Sequence, residues 1–291
     1  MHNVTRFRVV LDTDTFNEVD DQFTLAYAFL SPDQINLEAC YAAPFLNARS
    51  LSAEDGMEKS YQEIHVVSNL LKTNFDGHIF RGATHFLESK ERPVESDATR
   101  DLIARAMQSS QEDPLHVVGI AAATNLASAL IIEPRIKEFV RFYWLGGSPL
   151  YWRTADEFNL KQDVLSAQVL FESGVDLTLI PCKNVAEHMR VSSADLKDAL
   201  LSPNPLCDFL LQRFDQYMEE KDFLSKPLWD VVAMALLVNP DWVPCDGVDS
   251  PLLRDDKTWG GCVHGHKIKV AREIRRDAIF RDLCRKLNEF S

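Results

Sequence analysis

Hydrophobic residues along this chain fall into short runs that alternate between two periods. Phe7 to Leu11 (FRVVL) is a continuous apolar run rich in β-branched residues, the pattern of a strand buried on both faces. Asp20 to Leu30 follows with Phe23, Ala26, Tyr27 and Leu30 at helical spacing and two acids in the first turn. The same alternation continues. Strands are predicted at Leu37 to Ala42, Leu115 to Ile120, Phe139 to Leu145 and Leu177 to Pro181. Helices are predicted at Gly56 to Leu71, Ala98 to Met107, Asn125 to Ile132 and Val164 to Glu172. Helices and strands taken in turn imply an α/β fold: an open, mostly parallel, Rossmann-like sheet with helices on both faces. Ser192 to Leu237 reads as a small helical subregion, and His266 to Val270 as a closing strand before an amphipathic helix. The longest polar stretch, Lys90 to Arg100, is too short for a linker, so residues 1–291 read as one domain.

Composition narrows the function. The chain has 291 residues, 46% of them hydrophobic and 26% charged, which excludes disordered and fibrous classes. It carries 44 acids against 31 Lys and Arg, a formal charge of −13, with no basic cluster, which argues against nucleic acid as a partner. No apolar run approaches the roughly 20 residues that span a bilayer. Met1 to Arg8 lacks the basic-then-apolar pattern of a signal peptide, so a cytoplasmic protein is expected. The six cysteines are scattered without zinc spacing and read as reduced packing thiols.

Part of the acid excess is concentrated. Asp12, Asp14, Glu18, Asp20 and Asp21 lie in one window of ten residues, at the end of the first strand and the start of the first helix. No Lys or Arg occurs between Arg8 and Arg49 to offset them. Carboxylates crowded in one βα turn repel one another, and a hard divalent cation such as Ca²⁺ removes that repulsion. In an open parallel sheet the binding crevice lies at the carboxyl ends of the strands. Those ends also carry Asn47, Ile120 with Thr124-Asn125, and Gly146-Gly147 followed by Glu157 and Asn159. Read alone, Asn125 begins a helix, Glu157 could pair with Lys161 one turn on, and Asp230 could be an N-cap. Two enzyme classes open with a strand-end D-x-D. In haloacid-dehalogenase-type phosphatases the acidic pair comes late in the chain, whereas here it follows at once.

The segment VVLDTDTFNEVDDQFTLAYA resembles the N-terminal signature of the nucleoside hydrolase family, the inosine-uridine-type N-ribohydrolases. HVVGIAAATNLASALIIEPRI, FYWLGGS, DEFNLKQDVLSAQVLF, LIPCKNVAEHMRVSSADL and KPLWDVVAMALLVNP are similar to further pieces of that family in the same order, from Arg8 to Pro240. The resemblance implies calcium-dependent hydrolysis of the N-glycosidic bond of a ribonucleoside or related N-riboside. It further implies a homo-oligomer, dimer or tetramer. Asp14, Asp21, Asp230 and the backbone carbonyl of Ile120 would hold Ca²⁺, with Asp14 also taking a proton from the attacking water. Asp20 would bind the ribose 2′-hydroxyl; Asn47, Glu157 and Asn159 would hold the others; Asp12 would support the cluster from behind.

This chain departs from the family pattern in three places. Five residues, Thr15 to Val19, separate the D-x-D from the D-D, two more than in the best-known members, so Asn17 and Glu18 can reach the pocket. Trp229 stands where many members have the His that activates the leaving base. Trp229, with Trp152 and Tyr151, could stack on the base instead, and Arg153 or His85 could donate a proton. Tyr151-Trp152-Arg153 occupies the region of an Asn that usually precedes E-F-N. The alternatives are a haloacid-dehalogenase-type phosphatase and a non-catalytic nucleoside- or ribose-binding protein.

Overall fold

A computed structural model describes residues 6–290. Met1 to Thr5, within the segment read above for a targeting signal, and Ser291 lie outside the described residues. The elements in order are β1 (Phe7–Thr13), α1 (Asp20–Phe29), β2 (Ile35–Ala42), α2 (Ala53–Leu70), β3 (Ile79–Arg81), α3 (Asp97–Met107), β4 (Leu115–Gly119) and α4 (Thr124–Ile132). They continue with β5 (Val140–Leu145), α5 (Phe158–Gln162), α6 (Val164–Glu172), β6 (Asp176–Ile180), β7 (Arg190–Val191), α7 (Ser193–Ala199) and α8 (Pro205–Lys221). The chain closes with β8 (Lys226–Pro227), α9 (Val231–Val238), β9 (Cys245–Leu253), β10 (Trp259–Ala271) and α10 (Arg276–Glu289).

Eight strands form one sheet in the order β3-β2-β1-β4-β5-β6-β10-β9, parallel throughout except for the β9–β10 pair. Successive residues of β1 go to opposite faces. Val9 and Leu11 pack with Phe23 of α1, Ile64 of α2 and Val232 of α9, while Val10 packs with Leu102 of α3, Leu126 of α4 and Leu170 of α6. A strand covered on both sides has to be apolar at every position, which is why FRVVL reads as a continuous run. The helices at 192–237 are interrupted by β8, which pairs antiparallel with β7. The closing strand is longer than His266 to Val270 and forms a hairpin with β9, an edge strand of sequence CDGVDSPLL whose first five residues are exposed or half-buried. An edge strand with one wet face needs few apolar residues, so β9 carries no clear apolar run. No helix among the described residues is long and apolar enough to cross a membrane.

The order of the strands fixes where a site can form. The chain moves outward from β1 through β2 to β3, then returns to the other side of β1 at β4. The loops leaving β1 and β4 therefore diverge over opposite faces and open a crevice between them. Register places Asp12 beside Gly119, and the Ile120 amide donates to the Asp12 carbonyl at 2.9 Å. The crevice floor is thus the paired ends of β1 and β4.

Gly82, just after β3, tightens this floor. Asn125 donates from Nδ2 to Asp12 Oδ1 at 2.7 Å and accepts from the Ala83 amide at 2.8 Å. A Cβ at Gly82 would stand 2.1 Å from the Ala42 carbonyl oxygen and 2.5 Å from Asn125 Nδ2. The Ala42 oxygen is backbone and cannot swing aside. Gly82→Ala is expected to destabilise the protein by about 1–3 kcal/mol or more, read by urea unfolding; wild-type stability would show that the backbone here yields.

Candidate active site

A cavity of about 500 Å³ opens over the switch point. Asp14, Asn17, Glu18, Asp20, Asp21 and Asp230 line it together with Ile120, Glu157, Asn159, Cys182, Lys183 and Trp229. The chain brings these together from strand ends and from the starts of α1, α5 and α9. Asp14 follows β1. Asp20 and Asp21 open α1, and Asp230 directly precedes α9, whose side chain caps no backbone amide. The plain N-cap reading of Asp230 therefore does not hold.

Carboxylate oxygens of Asp20, Asp21 and Asp230 all lie within 4.8 Å of one another, and all three residues are buried. Asp14 borders the same cavity. Its Oδ2 accepts from Asn17 Nδ2 at 3.1 Å, and its carbonyl accepts from the Asn17 amide at 2.7 Å. Thr13 Oγ1 donates to Asp21 Oδ1 at 2.5 Å. Lys226 reaches in from β8: its Nζ is 2.6 Å from Asp20 Oδ1 and 2.7 Å from Glu18 Oε2. Asp20 Oδ2 accepts from the Asp230 amide at 3.3 Å.

Burial, followed by repulsion from Asp21, Glu18 and Asp20, raises the Asp14 carboxyl well above its ordinary value. Asp230 rises for the same reasons, with Asp20, Asp21 and Asp14 as its neighbours. Burial and Asp20 push Asp21 up to about 7, although Thr13 opposes the change. Burial lifts Asp12 to about 7 as well. Its Oδ2 is buried with no hydrogen-bond partner among the described residues. Burial also pushes Glu18 up, but the Lys226 ammonium more than offsets this and leaves it lowered. The cluster is thus electrostatically unsatisfied by the protein's own groups. A hard cation is what its oxygen donors would accept.

The opposite wall is built from backbone geometry. Glu157 caps α5, where its carboxylate accepts from the amides of Asn159 at 3.1 Å and Leu160 at 3.2 Å. It also accepts from the Gly147 amide at 2.9 Å, pinning a turn in which Gly147 has a φ of +67°. It is not paired with Lys161. Asn159 Nδ2 donates to the Ile120 carbonyl at 3.2 Å and the Leu145 carbonyl at 3.0 Å, bridging the ends of β4 and β5. Trp144 Nε1 donates to the Ala121 carbonyl at 3.0 Å and steadies the same loop.

Other candidates from the sequence stand elsewhere. Asn47 does not line the cavity; its Nδ2 donates to Asn17 Oδ1 at 2.6 Å, so it acts on the wall through Asn17. Trp152, Tyr151, Arg153 and His85 are exposed and off the cavity wall. Asn125 does not line this cavity; it holds Asp12. Glu18 and Asn17 do line it, as the longer loop suggested. Three lining or supporting residues carried no sequence signal: Cys182, Lys183 and Lys226. Lys183 holds its ammonium 4.9 Å from the centroid of the Trp229 ring.

The raised carboxyls set the direction of a pH effect. A group whose value is raised by folding contributes stability below its ordinary value, and that stability is lost as pH climbs through the folded value. In chelator, the wild type should therefore lose melting temperature from about pH 5 to about pH 8. Asp21→Asn, which cannot ionise, should lose less, as followed by circular dichroism. Equal slopes would mean that Asp21 is not raised.

The chain matches the inosine-uridine preferring nucleoside hydrolase family over residues 9–281. Pyrimidine-specific ribonucleoside hydrolase RihA of Salmonella paratyphi A is 27% identical over 155 residues, 50% of this chain and 49% of RihA. The chain thus spans about half the length of the curated relatives it matches. The plant nucleoside hydrolase PpNRh1 superimposes with a TM-score of 0.76 at 18% identity, covering 98% of this chain and 100% of that one. The purine-preferring ribonucleoside hydrolase of Gardnerella vaginalis gives 0.77 at 18% identity, covering 97% and 98%. At such identities these structures show a shared fold. The family match runs from β1 into α10, leaving no place for the phosphatase alternative, and the chain belongs to the inosine-uridine preferring nucleoside hydrolase family.

Proposed function

We propose that this protein is a calcium-dependent N-ribohydrolase, cleaving the N-glycosidic bond of a ribonucleoside or related N-riboside. The observation that carries this reading is the meeting of Asp14, Asp20, Asp21 and Asp230 with Glu157 and Asn159 around one cavity. The donor set fits Ca²⁺. Oxygens on opposite sides of a calcium ion lie roughly 4.6–5.2 Å apart, twice the Ca–O distance, and the Asp20-Asp21-Asp230 oxygens fall within 4.8 Å. The grouped donors are carboxylate oxygens, the ligands of a hard cation. Bound there, calcium supplies a polarised water and a place for vicinal ribose hydroxyls.

The chain's own residues would do the rest. Asp14, tethered at Oδ2 by Asn17, has Oδ1 to take a proton from the attacking water as oxygen bonds to C1′. The surrounding carboxylates favour the oxocarbenium-like charge that develops on the sugar. Glu157 and Asn159 face the sugar from the opposite wall. The C1′–N bond breaks as the base takes a proton. Trp229 offers a ring face for the base, and the Lys183 ammonium beside that ring is the donor we assign.

Reducing-sugar release across purine and pyrimidine ribosides, with and without chelator, tests the reading. Asp14→Ala should abolish turnover. No release from any riboside would sink the activity, and release that survives complete metal removal would sink the metal's role. A protein that only binds ribosides would give calorimetric binding with no release. Lys183→Met should cut kcat/KM for nucleosides by about 10²-fold or more, the usual worth of a positioned acid. It should spare p-nitrophenyl riboside, whose leaving group needs no proton. Equal losses on both substrates would exclude Lys183 as the acid.

A further inference from the structure

Lys226 is an unusual neighbour for a cation-binding cluster. Its side chain is only 3% exposed. Its three N–H donors have three acceptors: Asp20 Oδ1 at 2.6 Å, Glu18 Oε2 at 2.7 Å and its own neighbour's carbonyl, Pro227 O, at 3.0 Å. The Tyr217 ring lies under the ammonium, 5.6 Å from Nζ to the centroid, and the Tyr217 hydroxyl donates to Glu18 Oε1 at 3.0 Å. An ammonium so enclosed has no freedom to leave. It contacts Asp20, one of the three grouped carboxylates, so any cation held there shares that carboxylate with a fixed positive charge.

Glu18 belongs to this arrangement. It sits in the stretch Thr15 to Val19 that lengthens the first loop. Arg49 Nη1 donates to the carbonyls of Asn17 and Glu18 at 3.3 and 3.4 Å and so anchors that stretch. A buried ammonium beside Asp20 alone would lack a second carboxylate; the extended loop supplies one.

We propose that Lys226 is a positioning residue that acts as a built-in counter-ion: it orients Asp20 toward the ribose and weakens the cluster's hold on calcium. The inference rests on the reading given under Proposed function. In the absence of metal the ammonium limits repulsion among the carboxylates. With metal bound, its fixed charge, 2.6 Å from Asp20 Oδ1, would repel an ion sharing that carboxylate. The cluster is thereby tuned between collapse when empty and excessive retention when filled.

The test is calorimetric titration of the full chain with CaCl₂ after chelation, comparing wild type, Lys226→Met and Lys226→Arg. Lys226→Met should bind calcium roughly ten-fold or more tightly, because a like charge has been removed. Its calcium-free form should melt lower than wild type, and calcium should raise its melting temperature by more. At saturating calcium its KM for the riboside should rise more than its kcat falls. Lys226→Arg keeps the charge and should hold calcium within a few-fold of wild type. Should Lys226→Met not fold, Lys226→Gln, which keeps N–H donors without charge, is measured in its place. Unchanged or weaker calcium binding by the folded, uncharged variant overturns the inference alone. A wild type that binds no calcium overturns the reading under Proposed function, and this inference with it.

Discussion

Crowding of four carboxylates at one switch point is the constraint that shapes this molecule. Asp14, Asp20, Asp21 and Asp230 are each buried, and ionised carboxylates taken out of water without partners are costly. The fold answers with individual donors: Thr13 to Asp21, Asn17 to Asp14, the Asp230 amide and Lys226 to Asp20. These do not cancel the repulsion: burial and the neighbouring acids leave the Asp14, Asp21 and Asp230 carboxyls raised. A protein that keeps such a cluster accepts a weak point in its metal-free state in return for a site that favours positive charge.

Behind the cluster, rigid parts keep the acids from moving apart. Asp12 stands within β1, and Asn125 ties it to α4 and to the Ala83 amide. Asn159 clamps the carbonyls of Ile120 and Leu145, joining two neighbouring strands at the rim. Glu157 fixes the Gly147 turn by three backbone amides. In each case a side chain spans two elements that the sheet already brings close. The frame therefore requires little ordering of long side chains, whose immobilisation would cost conformational entropy.

How much of this the sequence discloses depends on the range of each interaction. The buried strands and flanking helices are legible because their period is local: FRVVL needs only its own residues to look like a two-face-buried strand. The Asp12 to Asp21 window is legible because its acids are neighbours in the chain. Lys226 is not, since its role arises from a two-residue strand paired with β7 and contacts with acids more than 200 positions earlier. Glu157 was open to a surface pairing with Lys161 until the Gly147 turn came within its reach. Asn47 is the reverse case: it lies near the rim in sequence and space, yet Asn17 stands between it and the cavity. The β9 edge strand fails to show for a third reason, because one wet face leaves it free of the apolar pattern that marks a strand.

The cavity wall is of two chemical kinds, and they come from different parts of the chain. The acids descend from β1, α1 and the start of α9, the most constrained region of the sheet. Trp229 and Lys183 come from loops after β8 and β6, where substitutions need not disturb strand pairing. The ring and the ammonium lie 4.9 Å apart, so they form one surface of the cavity. Asp230, next in sequence to Trp229, joins the two. Any shift of Trp229 therefore pulls on a member of the acidic cluster. The fixed Lys226–Asp20 pair, bonded in turn to the Asp230 amide, resists that pull. Lys226 thus does mechanical as well as electrostatic service: it holds the acidic wall in register while the Trp229–Lys183 wall can vary.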